Sequence, residues 1–443
     1  MSPDPNSLLN ADWLARLDSF RQLIVGFSGG LDSTVLLHAL AAQPSLRSKL
    51  VAVHINHGIS PNALSWQQHC AQYAQNLGIQ FITESVQFER SANVEAQARI
   101  ARYAVFSSLL TAEDCLLLGH HQDDQAETVL LQLFRGAGID GLAAMTALSH
   151  LGVGAVVRPF LSYSRAQLAH YARVHQLSWI EDESNQELIY SRNYLRQQIM
   201  PLLVEKWPGV VATIARTALH CQQAKSNLDV LATQDMEASG EPGTLTSSSL
   251  SIDALVNLNF ARITNILRIW LRNNQVQLPS TATFHRLINE LIYARSDAVP
   301  EVSWGLVLIR RYQKCLYLDR KTSGTVPACS VWSVFPAPFI LEDAGIQLSA
   351  QKAEQGLVIP PGAKIEVRFR QGGEAFVWHG QTKQLKKLFQ EWGVPPWQRE
   401  RTPLVYINEQ LAAVAGYAIG DLFFSSSSAW RLSTSLIFTH KTD

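Results

Sequence analysis

The chain has no excess of charge of either sign. Lys+Arg and Asp+Glu number 37 each among 443 residues, giving a formal net charge of +0. Net charge therefore says nothing for or against nucleic acid, and any basic surface must be local. Cysteine is scarce and scattered. Cys70, Cys115, Cys221, Cys315 and Cys329 form no C-x-x-C pair and are odd in number. That argues against a disulfide framework and a thiolate zinc site, and fits a reducing compartment. No apolar run is long enough to span a bilayer. The first residues, MSPDPNSLLNADWLARL, carry acids and lack the apolar core of a signal peptide. The expectation is a soluble cytoplasmic protein with no membrane partner.

What is present suits a packed protein of two or three domains, with 47% of residues hydrophobic and 17% charged. In the first half, short apolar runs at 23–27, 49–56, 79–86 and 114–120 alternate with helix-forming segments at 32–42, 60–78, 93–110 and 123–136. The helical segments carry expected start and stop signals: Ser60-Pro61, a possible Asn93 cap, Gly78 and Gly136. This alternation predicts an α/β fold, a doubly wound parallel sheet, with its ligand beyond the carboxyl ends of the strands.

FSGGLDST (27–34) falls where the first strand hands over to the first helix. Gly29 and Gly30 leave room for an anion. The amides of Ser28, Gly29, Gly30 and Leu31, the dipole of the next helix and the hydroxyls of Ser28 and Ser33 could face a phosphate. The spacing is neither G-x-G-x-x-G nor G-x-x-x-x-G-K-S/T. An ordinary tight turn with Asp32 or Ser33 as N-cap accounts for the stretch as well.

Four further stretches carry polar groups near strand ends. VHINHGIS (53–60) holds His54, Asn56 and His57, and EAQARIARY (95–103) puts Arg99 and Arg102 on one helical face. In GHHQDDQAETVLLQLFRG (119–136), Asp124 and Glu127 share the first turns and Asp123 is placed to cap. Ala126, Val129, Leu130, Leu133 and Phe134 are expected to face the sheet. Acids here suit Mg²⁺ or an ammonium group; complementing the helix N-terminus explains one or two acids, but less well a cluster with His120 and His121 after a strand. SNQELIYSRNYLRQQIMPLL (184–203) brings Arg192 and Arg196 one turn apart, where a solvated face would account for both.

In this order the five motifs resemble the tRNA(Ile)-lysidine synthetase family of PP-loop ATP pyrophosphatases, over roughly residues 20–205. The resemblance implies adenylation of the anticodon wobble cytidine by ATP. Free L-lysine then attacks, and lysidine, AMP and pyrophosphate are released. It implies ATP and Mg²⁺ as cofactors and isoleucine tRNA with a CAU anticodon as partner, and it leaves a homodimer open. By resemblance, Ser28, Gly29, Gly30, Leu31, Asp32 and Ser33 hold ATP. Asp32, Arg102, Asp124 and Glu127 are catalytic, Asp124 also being the candidate Mg²⁺ ligand. Arg192 and Arg196 contact tRNA.

After about residue 215 the alternation stops. Helices are expected at 212–238, 259–274 and 280–294, loops at 239–250 and 322–330, and a β-hairpin at 302–318. A strand over 364–374 carries Arg368 and Arg370, and a helix over 382–397 carries Lys383, Lys386 and Lys387. Eight basic and four acidic residues lie between Lys364 and Arg401, a local surface suited to a phosphate backbone. This end resembles the C-terminal domain of the long bacterial form, which implies tRNA contact by those five residues. The expected division is a catalytic domain at 1–215, a mainly helical domain and connector at 216–350, and a small basic α+β domain at 351–443. A PP-loop tRNA thiolase and a non-catalytic nucleotide-dependent tRNA-binding protein are the alternatives. Missing cysteine spacing weighs against the first, and the acids at 123–127 against the second.

Overall fold

The computed structural model describes residues 8–437 apart from 59, 61, 87–93, 184–186, 239–244, 246, 296–297, 299, 322–328 and 343. Pro61, the Asn93 cap and Ser184-Asn185 therefore lie outside the described residues. The chain divides into two compact units, Met1–Asn227 and Leu228–Asp443.

The first unit runs α1 (Ala11–Asp18), β1 (Gln22–Gly26), α2 (Leu31–Ala41), α3 (Pro44–Arg47), β2 (Leu50–Asn56), α4 (Ala63–Asn76), β3 (Gln80–Ser85), α5 (Val94–Leu109), β4 (Asp114–Leu117), α6 (Gln122–Phe134), α7 (Ile139–Leu142), β5 (Leu148–Leu151), β6 (Gly154–Val157) and α8 (Arg165–Val174). The strands form one sheet ordered β3-β2-β1-β4-β6-β5, parallel except for the antiparallel edge strand β5. Side chains alternate across it. Leu23, Val25, Ala52, Cys115, Leu117 and Val157 face one core with α1, α2, α4 and α8, while Ile24, Val51, Val53, Leu116 and Val156 face another with Phe106 of α5. Burial on both faces explains why these strands read as continuous apolar runs.

Helix α6 departs from expectation. Ala126 and its neighbours pack on Leu195, Met200 and Ile214 of the following helices rather than on the sheet, and Leu133 and Phe134 are exposed. The helix forms, but Leu133 and Phe134 fall outside its buried face, and the partner surface lies later in the chain. Those later helices are Ser191–Tyr194, a π-helical turn at Leu195–Ile199, Met200–Lys206 and a long helix, Val210–Ala238.

In the second unit, helices Phe260–Asn273 and Thr281–Arg286, the latter continued by a π-helical turn at Leu287–Ile292, pack on a four-stranded sheet around buried Trp270, Leu267 and Leu287. The expected hairpin at 302–318 is a meander of three strands, Glu301–Trp304, Val307–Tyr312 and Cys315–Arg320, edged by Ser249–Ser251. Gly305 with φ +51° and Gln313 with φ +53° sit in the two turns. Beyond it lie two five-stranded sheets and a hairpin pairing Ala375–Trp378 with Gln381–Gln384. The helix expected over 382–397 is therefore shorter, spanning Leu385–Glu391, and Lys383 lies on a strand. Gly380 at φ +72° turns that hairpin.

Candidate active site

The phosphate-type loop is shaped by one glycine. Gly29 has φ +83°, and a Cβ there would lie 2.6 Å from Ile180 Cδ1 and 2.7 Å from Cys70 Sγ. Its carbonyl accepts the Ile180 N–H at 2.8 Å and the Thr34 hydroxyl at 3.2 Å. Ser33 Oγ donates to the Gly30 carbonyl at 3.0 Å and lies 3.1 Å from Ser28 Oγ. Gly30 is the N-cap of α2, with neither Asp32 nor Ser33 in that role. The first-turn amides of α2, from Leu31, Asp32 and Ser33, have no carbonyl partner within the helix and form the anion-facing end of its dipole. Gly119, after β4, passes so close that a Cβ would sit 2.9 Å from the Asp32 carbonyl oxygen.

That approach brings the GHH motif to the loop. His121, not Asp123, is the N-cap of α6, and its N–H donates to Asp124 Oδ2 at 3.1 Å. Its buried ring lies among three carboxylates. Nε2 is 3.6 Å from Asp32 Oδ2 and 3.4 Å from Asp124 Oδ2, and Nδ1 is 3.5 Å from Asp123 Oδ2. Burial alone would lower the His121 pKa, but bonding to Asp123 and Asp32 and the charge of Asp124 outweigh it and push it up to about 10. The three carboxylates thus favour the charged form of His121. Its neighbour His120 behaves oppositely. Burial, together with Arg158, Arg192 and Arg102 and against Asp124, pulls it down to about 3, so it is neutral. Asp123 and Asp124 stay below the ordinary carboxylate range; burial opposes this, and His121 with the nearby arginines overcomes it.

Arg192 and Arg196 close the other side of the acids. Glu127, 2% exposed, accepts Arg196 Nε at 2.6 Å and Arg196 Nη2 at 2.9 Å, and Arg192 Nε at 2.8 Å. Arg196 Nη2 also reaches Asp124 Oδ1 at 2.9 Å, and Arg192 lies 3.7 Å from the same oxygen. Burial works against the Arg196 charge, yet Glu127 and Asp124 raise its pKa above the usual arginine value. The plain solvated face expected for these arginines is not what forms.

Four carboxylates (Asp32, Asp123, Asp124, Glu127) thus face three cations (His121, Arg192, Arg196). Asp32 Oδ1 is buried and accepts no hydrogen bond. A further cation fits this deficit. Among the described residues no three His, Cys, Asp or Glu side chains group as a ready metal cage, so Mg²⁺ would rely on water and phosphate oxygens beside one or two carboxylates, its usual habit.

Arg102 is half-buried. Its charge, after burial, helps bring His57 down to about 4. His54 is buried and its Nδ1 lies 3.0 Å from the Phe27 carbonyl, propping the loop backbone. His120, His121, Asp123 and Arg158 were not among the expected site residues. The two histidines before α6 were the available signal for the first pair.

The basic residues of the second unit divide in two. Arg368 is bonded to Glu366 and stacks 4.4 Å from the Tyr406 ring centroid; Arg370 lies 3.8 Å from Glu374; Lys383 is 2.9 Å from Glu391. Lys386 and Lys387 are exposed, with no carboxylate partner among the described residues.

Known families match along the chain: a PP-loop domain over residues 6–203, a TilS substrate binding domain over 250–317 and a TilS substrate C-terminal domain over 365–436. A tRNA(Ile)-lysidine synthase of Legionella pneumophila (strain Paris) is 59% identical over 428 residues, covering 96% of this chain and 98% of that one. Those of Coxiella burnetii (strain RSA 493 / Nine Mile phase I) and Serratia proteamaculans (strain 568) are 40% and 38% identical, over 96% and 94% of this chain and 95% of each relative. The chain belongs to the tRNA(Ile)-lysidine synthase family.

Proposed function

We propose that this chain ligates L-lysine to the wobble cytidine of isoleucine tRNA bearing a CAU anticodon, at the expense of ATP. The cytidine O2 attacks the α-phosphate and pyrophosphate leaves. The lysine amine, once deprotonated, then attacks C2, and the C2–O bond breaks to release AMP. The observation that carries this reading is the 3.6 Å approach of His121 to Asp32, which joins the loop to the acids at the carboxyl ends of β1 and β4.

Ser28 to Ser33, with the N-terminus of α2, hold the phosphates, and Arg102 offsets charge on the departing pyrophosphate. Asp124 and Glu127 orient the lysine ammonium. Bound through Asp124 and the free oxygen of Asp32, Mg²⁺ would neutralise phosphate charge. His121 holds Asp32, Asp123 and Asp124 together, and it favours the ionised forms of Asp123 and Asp124. Arg192 and Arg196, and the basic face with Arg368, Arg370, Lys383, Lys386 and Lys387, serve the tRNA. We keep the division at 1–215, 216–350 and 351–443, and a cytoplasmic location. Among the described residues no helix is long and apolar enough to cross a membrane.

The test is incorporation of labelled lysine into an unmodified isoleucine tRNA transcript, with pyrophosphate followed in parallel. Both are expected with the wild type, and neither with a folded Asp32→Ala variant. Pyrophosphate release that needs no lysine-accepting cytidine, or normal release by Asp32→Ala, overturns the assignment.

A further inference from the structure

A second basic centre lies beside the crevice, and the roles above use only its inner member. Tyr103 of α5 is its hub. The guanidinium of Arg99 lies 5.0 Å and that of Arg102 5.8 Å from the Tyr103 ring centroid. A third guanidinium enters from the end of β6. Arg158 is 8% exposed, and its Nη1 donates to the Thr146 carbonyl at 3.0 Å and Ser149 Oγ at 2.9 Å. Its Nε is buried without an acceptor, as is Nδ1 of neighbouring His120. Burial lowers the Arg158 pKa, Tyr103 supports its charge and Arg99 works against it.

Among the described residues no carboxylate pairs with Arg99 or Arg158. A buried guanidinium without an acid is costly, and like charges gathered on one ring add repulsion. The carbonyl and hydroxyl that Arg158 holds satisfy one arm of its fork and leave its charge uncompensated. An incoming anion would relieve both costs. Forked, planar donors favour phosphate oxygens.

Place decides between sources of that phosphate. In the sheet, β6 is separated from β1 by β4, so Arg158, at the end of β6, stands about 10 Å from the ATP loop at ordinary strand spacing. That is too far to serve the same phosphate and near enough for the strand that delivers the reacting base. We infer that Arg99, Tyr103 and Arg158 form a subsite for a backbone phosphate of the substrate RNA next to the modified cytidine. This rests on the tRNA-modifying reading above.

The experiment measures affinity of the full-length enzyme for an isoleucine tRNA transcript over a salt series, and for ATP alone. Arg99→Gln is exposed and should fold. It is expected to weaken transcript binding about fivefold and to flatten the log–log salt slope by about 0.7 to 0.9, with ATP affinity unchanged. Arg158→Lys keeps the charge but not the fork, so transcript affinity should fall with the slope retained. Unchanged transcript affinity and slope in Arg99→Gln would overturn the subsite. So would a loss of ATP affinity, which would hand these arginines to the nucleotide. A wild type that takes up no lysine would instead undermine the parent reading, and the two failures are thereby distinguished.

Discussion

Replacing Gly29 by alanine should damage the first unit through geometry alone. Two costs add. The residue sits at φ +83°, a region that costs a Cβ-bearing residue about 1–2 kcal/mol. The new methyl would also lie 2.6 Å from Ile180 Cδ1 and 2.7 Å from Cys70 Sγ, and overpacking of this kind costs about 1–3 kcal/mol. The expected loss is thus about 2–5 kcal/mol, or roughly 4–20 °C in Tm for a unit of this size. Gly30→Ala is the control. Its backbone has φ −72°, and the nearest atom to a Cβ is Ser28 Oγ at 3.5 Å, so about 1 kcal/mol or less is expected from weakening an N-cap. Urea unfolding of both variants, with ATP binding measured alongside, makes the comparison. Adding Ile180→Ala to Gly29→Ala should restore part of the loss, a favourable coupling in a double-mutant cycle. Equal stability of the two glycine variants, or no coupling to Ile180, would refute the reasoning.

Three further outcomes follow from the site. Glu127→Gln removes one carboxylate from two guanidiniums and should cost about 3 kcal/mol in unfolding free energy; if Glu127 also orients lysine, the lysine KM rises while pyrophosphate release is less affected, and an unchanged lysine step removes it from that role. Changing Lys386 and Lys387 together to Ala should lower the salt slope of tRNA binding by up to about two, whereas Lys383, held by Glu391, adds less; a flat comparison would return this helix to a solvated face. For pH, His120 and His57 have folded pKa values of about 3 and about 4, below the ordinary 6.5, so their stability is present above 6.5 and lost as pH falls. His121, raised to about 10, contributes below 6.5 and loses that contribution as pH rises toward 10. The urea midpoint should therefore decline on both sides of neutrality, and His121→Gln should flatten the alkaline limb. An alkaline limb unchanged by that substitution would show that His121 is not the charged member.

The loop, the alternation and the parallel sheet were legible because each is local. Gly-Gly after an apolar run, and helices with caps, declare themselves within a few residues. The charge pattern was not local. Glu127 is paired with Arg192 and Arg196, 65 and 69 positions on, a spacing that no helical period suggests. Adjacent His120 and His121 look identical in sequence but take opposite protonation states, because one ring is desolvated among arginines and the other lies among aspartates. The formal charge of zero counts every histidine as neutral, whereas the acids around His121 favour its charged form. The strand at Gln381–Gln384 was missed because its partner, Ala375–Trp378, supplies the pairing that TKQ alone does not advertise.

The guanidiniums on Asp124 and Glu127 make cation binding here an exchange. An ammonium or metal ion that takes those oxygens must displace hydrogen bonds already made, so its affinity is a difference between two sets of contacts. Each exchange also frees a forked donor suited to phosphate. Seen from the other ligand, a phosphate that draws Arg192 or Arg196 away leaves buried carboxylates in want of a cation. Lysine and RNA would then be coupled through one group of ion pairs. Such coupling is reciprocal by thermodynamic necessity: the factor by which the RNA tightens lysine is the factor by which lysine tightens the RNA.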